Sequence, residues 1–162
     1  MAVFMNRKAQ LALRKCLIMA ACLAILSCLP AMAASLVMLG GPSDAETYQR
    51  AFDGFQPPDG ISFTALCLIG DSEKAIAAAK AADVVVVNGH VVELRKLAEE
   101  LAVTGKRVYA LPHRRFSADT KVLPAPATLE AYRSNLTPGN CRAIALRLMK
   151  EEFHANVQIP PP

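Results

Sequence analysis

The feature that most constrains the fold is a regular alternation of short apolar runs with helix-like segments. The clearest run, at 84–87, is four consecutive valines, and β-branched residues at every position are typical of a strand that is buried on both faces. Similar runs occur at 35–39, 61–69 and 106–111. Because the intervening segments are long enough for crossover helices, parallel pairing is expected. The sequence therefore predicts an α/β fold, a flavodoxin-like or Rossmann-like three-layer sandwich whose core is a four-stranded parallel sheet in the order 2-1-3-4.

Capping and breaking signals delimit the predicted helices. The Ser-Asp-Ala-Glu sequence at 43–46 is a capping box that predicts the start of the first helix at its serine. Thr137 is the expected N-cap of the last helix and Pro138 its first residue. Between these elements, residues 112–126 are predicted to form a basic, proline-containing loop, and residues 128–135 a short helix.

The first 34 residues have the three parts of a secretory signal peptide. Basic residues without an acid precede an apolar run at 16–29, and small residues then favour cleavage after Ala33 or Ala34. The run is short for a mature membrane span, although an uncleaved anchor is a second interpretation and a lipoprotein signal at Cys28 a third. The sequence thus predicts a periplasmic or secreted protein with no stable membrane span after signal cleavage.

Setting residues 1–34 aside as a signal peptide changes the charge of the chain. They hold four of the 18 Lys and Arg residues, whereas all 14 Asp and Glu residues follow them, so 14 of each remain. A neutral domain has no electrostatic basis for binding nucleic acid or an anionic membrane, and no nucleic-acid partner is predicted. About 128 residues are enough for one hydrophobic core, so 35–155 is assigned to a single α/β domain and 156–162 to an extended Pro-rich tail.

Two cysteines remain after residue 34, Cys67 and Cys141. They are predicted to be thiols packed in the core, with a disulfide between them as the alternative.

Open parallel sheets bind ligands at the carboxyl ends of their strands, so the loops that follow the predicted strands form the candidate site. The glycines after the first strand can present backbone N–H groups to an anion, although a tight strand-to-helix turn needs glycine too. Two histidines in these loops can ligate tetrapyrrole iron or cobalt, and a neighbouring arginine can bind a carboxylate. The ligand-binding candidates are Gly40, Gly41, Ser43, Asn88, Gly89, His90, His113 and Arg114.

Catalytic motifs are missing from the sequence. No nucleophile elbow, nucleotide-binding glycine loop or pair of carboxylates occurs at the loop tips, and the histidines have no Cys, Asp or Glu at metal-ligand spacing. We therefore predict no catalytic residue and no metal site, and the sequence favours a chain that is not an enzyme by itself.

Residues 131–142, Ala-Tyr-Arg-Ser-Asn-Leu-Thr-Pro-Gly-Asn-Cys-Arg, precede an apolar helix and a Pro-rich tail. This segment resembles the end of the N-terminal domain of the large subunit of cobaltochelatase and magnesium chelatase, which reads approximately Tyr-Trp-x-Asn-Gly-Gly-x-x-Asn before a long helix. Tyr132, Asn135, Pro138 and Asn140 match, whereas Leu-Thr replaces the glycine pair and a glycine replaces an acid.

The family inserts metal into tetrapyrrole rings with a large body that this chain lacks, so none of that body's residues can be carried over. The resemblance implies a free-standing or split first domain, exported and non-catalytic. Its implied role is to bind a tetrapyrrole or corrinoid, or to assemble with a chelatase-like large-subunit body; the residues by themselves establish no cofactor. The alternative is an unrelated periplasmic α/β module that binds a small ligand or a partner.

Overall fold

Five parallel strands form one sheet in the order β2-β1-β3-β4-β5. The computed structural model describes residues 33–68 and 72–162. The strands are β1 Ala34–Gly40, β2 Ile61–Cys67, β3 Val84–Asn88, β4 Arg107–Leu111 and β5 Leu123–Pro124. The α/β prediction and the order of the four core strands are confirmed. The count of four strands was one too low, because β5 lies within the predicted loop and its two residues are too few to show strand periodicity.

Helices cover both faces of this sheet. They are α1 Ala45–Phe52, α2 Ser72–Ala81, α3 Val92–Val103, α4 Glu130–Arg133 and α5 Pro138–Phe153. The buried residues of α1, α4 and α5 share one core layer, and those of α2 and α3 share the layer on the opposite face. We call these the α1–α5 layer and the α2–α3 layer. None of the helices in the described residues is long and apolar enough to cross a membrane.

The valine strand occupies the centre of the sheet, as its composition predicts. Every residue of β3 is buried, and its side chains alternate between the two layers. Val84 and Val86 pack in the α1–α5 layer, whereas Val85 and Val87 pack in the α2–α3 layer. Burial on both faces explains why the run is apolar at consecutive positions rather than at alternate ones.

The first helix begins differently from the predicted capping box. Pro42–Asp44 form a 3₁₀ turn that precedes α1, and Ser43 does not act as the N-cap. The carboxylate of Asp44 instead accepts the backbone N–H of Gly41 at 2.7 Å. The reason is local, because the proline ring fixes Pro42 in a helical φ and the helical turn therefore starts before Ser43. Gly41 is then the N-cap, and Asp44, three residues later, can accept the N–H of Gly41.

The C-terminal segment follows its predicted outline. The Thr137 hydroxyl accepts the N–H of Asn140 at 3.2 Å, which caps the start of α5. The helix ends at Phe153, and the next residue, His154, adopts a left-handed φ of 58°. The tail after α5 has no helix or strand. Its Pro160 carbonyl accepts the hydroxyl of Tyr132 at 2.9 Å, which ties the tail to α4.

The signal peptide was predicted for residues 1–34, and of these the structure describes only Ala33 and Ala34. The anchor and lipoprotein alternatives likewise concern residues outside the described part of the chain. Ala34 is already the first residue of β1. The signal peptide therefore stays a prediction from the sequence.

Both cysteines in the described residues are free thiols. Cys141 is buried in the α1–α5 layer, and Cys67, at the end of β2, is half-buried against the same layer. Burial, with a smaller contribution from the nearby Asp44 carboxylate, raises the pKa of Cys141 to about 11 and also raises the pKa of Cys67. Thiols with raised pKa values are poor nucleophiles, which fits a packing role.

Candidate ligand-binding cleft

A hydrogen-bond network joins the loops that follow β1 and β3. One carboxylate oxygen of Asp44 accepts both the Gly41 N–H and the side-chain N–H of Asn88, the latter at 2.8 Å. The side-chain oxygen of Asn88 accepts the N–H of His90 at 3.1 Å. Asn88 is only 7% exposed, and it is the one buried polar side chain among the described residues. Its amide therefore holds the two loops together and sets the position of His90.

The glycines of these loops are explained by close packing. A Cβ atom on Gly40 would lie 2.7 Å from the Cβ of Asp44, and one on Gly89 would lie 2.3 Å from the carbonyl oxygen of Pro112. The N–H of Gly41 is already bound to Asp44. Gly89 thus allows the β3 loop to approach the β4 loop, Gly40 allows Asp44 to pack back on the end of β1, and Gly41 does not offer its N–H group to a ligand.

An open cleft of about 610 Å³ lies beside the carboxyl ends of β3 and β4. Two of the eight sequence candidates, His90 and Arg114, line it, whereas the predicted residues of the β1 loop do not. His113 belongs to the 3₁₀ turn His113–Arg115 next to the cleft, but its side chain is outside the described part of the structure. The residues lining the cleft are His90, Leu111, Pro112, Arg114, Pro124, Glu130, Arg133, Ser134 and Leu136.

Four of these lining residues come from the segment around α4, which the site prediction from strand ends did not include. Arg133 forms an ion pair with Glu130 and its side chain is 29% exposed, so the guanidinium is partly shielded from water. Between them in the same helix, Tyr132 is buried and anchors α4 to the tail. The sequence signal for this side of the cleft was the polar residues that flank the tyrosine, Glu130 before it and Arg133 and Ser134 after it.

The charge and polarity of the cleft suit an organic anion. Its charged groups are two guanidinium groups, Arg114 and Arg133, and one carboxylate, that of Glu130, which pairs with Arg133, so the guanidinium of Arg114 is in excess. The imidazole of His90 is beside them. The remaining wall is largely apolar, from leucine and proline side chains. Guanidinium groups bind carboxylates through paired charge-assisted hydrogen bonds, and apolar walls cover the hydrocarbon part of a ligand.

Among the described residues, no group of three or more His, Cys, Asp and Glu side chains is arranged to hold a metal ion.

The clearly perturbed tyrosines lie away from the cleft. Burial raises the pKa of Tyr48 well above its usual value. Burial, followed by the hydrogen bond that its hydroxyl donates to Glu152 at 2.6 Å, raises the pKa of Tyr109 to about 12. Tyr109 thereby links β4 to α5, and both tyrosines belong to the α1–α5 layer. Their shifts accompany packing and identify no acid or base for catalysis.

Comparison with known proteins returned no match, whether to a protein-family model, to a curated protein or to a solved structure. The fold and the cleft define the described residues as a three-layer α/β domain with an open cleft at the carboxyl edge of its sheet.

Proposed function

We propose that this chain is an exported, non-catalytic domain that binds a tetrapyrrole with carboxylate side chains in the cleft lined by His90, Arg114 and Arg133. The observation that carries the proposal is their convergence from three separate parts of the chain. His90 follows β3, Arg114 follows β4, and Arg133 belongs to the segment that resembles the chelatase large subunit. A cleft of about 610 Å³ falls within the size range of sites for small organic ligands.

The chemistry of the cleft divides among these residues. The guanidinium of Arg114 would bind one carboxylate of the ligand, and that of Arg133 would bind another with the N–H donors that its ion pair with Glu130 leaves available, while leucine and proline side chains would cover part of the ring. The imidazole of His90 would supply a nitrogen ligand to the ring metal. This division favours binding, transfer or assembly with a chelatase-like body over metal insertion by this chain alone.

Titration with haem and with metal-free protoporphyrin separates these contributions. We expect the purified protein to bind both, and Arg114→Ala to raise both dissociation constants at least about tenfold, because each ligand loses a charge-assisted contact. We expect His90→Ala to weaken haem binding and alter the haem absorption spectrum, with little effect on protoporphyrin, which has no metal to ligate. Absorbance and calorimetric titrations measure these effects.

Arg50→Ala is the matched control, because Arg50 is an exposed arginine of α1 that does not line the cleft. It should leave both affinities unchanged. Equal loss of affinity in Arg50→Ala and Arg114→Ala would indicate a non-specific charge effect and contradict the site. Absence of binding to haem, protoporphyrin and a cobalt corrinoid would contradict the tetrapyrrole proposal.

A small carboxylate ligand is the second candidate. The excess of cationic groups over the one carboxylate in an open cleft favours it, and this observation does not depend on the chelatase resemblance. Binding of a di- or tricarboxylate that is weakened by Arg114→Ala, without binding of any tetrapyrrole, would support this unrelated periplasmic binding module.

Export belongs to the same proposal and has its own test. Since β1 begins at Ala34, cleavage after Ala33 would leave every strand intact. We expect the protein isolated from its native host to begin at Ala34 or Ser35 and to be found outside the cytoplasm. N-terminal sequencing after cell fractionation measures both, and a cytosolic protein that retains Met1 would contradict export.

A further inference from the structure

We propose that two copies of this chain associate through the outer edge of β2, so that their sheets join across a two-fold axis. The joined strands would run antiparallel, with each residue of one copy opposite a residue of the other. This inference concerns a surface separate from the cleft and does not depend on the proposed ligand.

The two edges of the sheet differ in their protection against pairing. At one edge, β5 is two residues long and ends in Pro124, which lacks the N–H group that a further strand would need. At the other edge, β2 has seven residues, Ile-Ser-Phe-Thr-Ala-Leu-Cys, without a proline or a charged side chain. Within the described part of the chain, β2 pairs only with β1. Long uncharged edges of this kind favour strand addition.

The sequence of β2 complements itself when the two-fold axis passes through Thr64. This register uses all seven residues of the strand. On the side of the α1–α5 layer, Phe63 of one copy would lie opposite Ala65 of the other, and Ile61 opposite Cys67. Each pair joins a larger side chain to a smaller one and contains no charge, so both can pack without steric or electrostatic conflict.

The opposite side of the strand is compatible with the same register. Ser62 would lie opposite Leu66, and Thr64 would lie opposite the Thr64 of the second copy. Thr64 is exposed and carries no charge, and threonine pairs across antiparallel strands are favourable. A second copy therefore fits the edge without like charges meeting, and this self-complementarity is the reason for proposing a second copy as the occupant.

Three aromatic side chains beside the edge would gain cover from the second copy. Phe52, Phe55 and Phe63 are half-buried, and their ring centroids lie 4.6 to 5.6 Å apart. They line a groove of about 570 Å³ that follows α1 and β2. Partial burial of a continuous aromatic cluster next to an unprotected strand is typical of a surface that binds another protein.

The oligomeric state tests the proposal directly. We expect the purified protein to sediment as a dimer and Thr64→Lys to sediment as a monomer, because the substitution places two ammonium groups opposite each other on the axis. Thr64→Val, which keeps the shape and adds no charge, should remain dimeric. Circular dichroism should show that the Thr64→Lys monomer is folded, as expected for an exposed position.

Disulfide cross-linking tests the register independently. Opposite residues in antiparallel strands have Cα atoms about 4.5 to 5.5 Å apart, within reach of a disulfide. Oxidation of Thr64→Cys should therefore give a covalent dimer, whereas Thr104→Cys, at the exposed end of α3, should not. A wild-type protein that is monomeric up to about 100 μM, where even a modest affinity would populate a dimer, would overturn the proposal. So would a dimer that neither Thr64→Lys disrupts nor Thr64→Cys cross-links.

Discussion

Val86→Asp is expected to lower the free energy of unfolding by about 4 kcal/mol, because it places an unpaired carboxylate in the centre of the protein. Val86 is 1% exposed and packs in the α1–α5 layer, where its neighbours are apolar. Denaturation by urea, followed by circular dichroism, measures the loss. If the variant is mostly unfolded at about 25 °C, no transition can be fitted, and the low folded fraction then shows the expected loss of stability.

Val92→Asp is the control for this substitution. Val92 is 47% exposed and is the first residue of α3, where a carboxylate interacts favourably with the helix dipole. We expect its stability to change by no more than about 0.5 kcal/mol. Equal unfolding midpoints for Val86→Asp and Val92→Asp would contradict the central position of β3.

Gly89→Ala is expected to destabilise the protein by about 2 kcal/mol and to displace the loop that follows β4. The added Cβ would meet the Pro112 carbonyl oxygen at 2.3 Å and the ring of Phe116 at 3.2 Å, so the backbone must move. Because Pro112 and the adjacent His90 both line the cleft, we also expect weaker ligand binding. Urea denaturation and the haem titration measure the two effects.

Gly139→Ala is the matched control for the glycine substitution. Gly139 lies in the first turn of α5, and a Cβ there would meet only the Thr137 hydroxyl, at 3.9 Å. Alanine should be neutral or stabilise the helix by up to about 1 kcal/mol. If Gly89→Ala were as stable as Gly139→Ala, the close approach of the β3 and β4 loops would be wrong.

Local patterns predicted the core strands most directly where the strand is buried, as in β1 and β3, whereas β2 was also predicted although none of its residues is fully buried. The valines of β3 are buried on both faces, and the cap at Thr137 uses only residues within one turn of it. The capping box at 43–46 failed for an equally local reason. Ser43 and Asp44 can both accept a backbone hydrogen bond at the start of the helix. Pro42 favours the turn in which the Asp44 carboxylate accepts the N–H of Gly41 and the Ser43 hydroxyl does not cap the helix.

The candidate site was only partly accessible from the sequence. The rule that ligands bind at the carboxyl ends of parallel strands selected His90 and Arg114, and both line the cleft. It also selected Gly41, whose N–H is occupied by Asp44. Arg133 and Ser134 lie in no strand-end loop, so no rule based on strand order could place them beside His90.

The sequence by itself determined the α/β class, the parallel order of the core strands and the central place of the valine strand, because hydrophobic periodicity and crossover length act locally along the chain. The tertiary structure decided which polar groups meet. Asp44 and Asn88 are 44 residues apart yet share a hydrogen bond, and Arg133 lines the cleft from a helix that Tyr132 joins to the tail at Pro160. Such contacts depend on the packing of distant segments, and composition and periodicity carry no record of that packing.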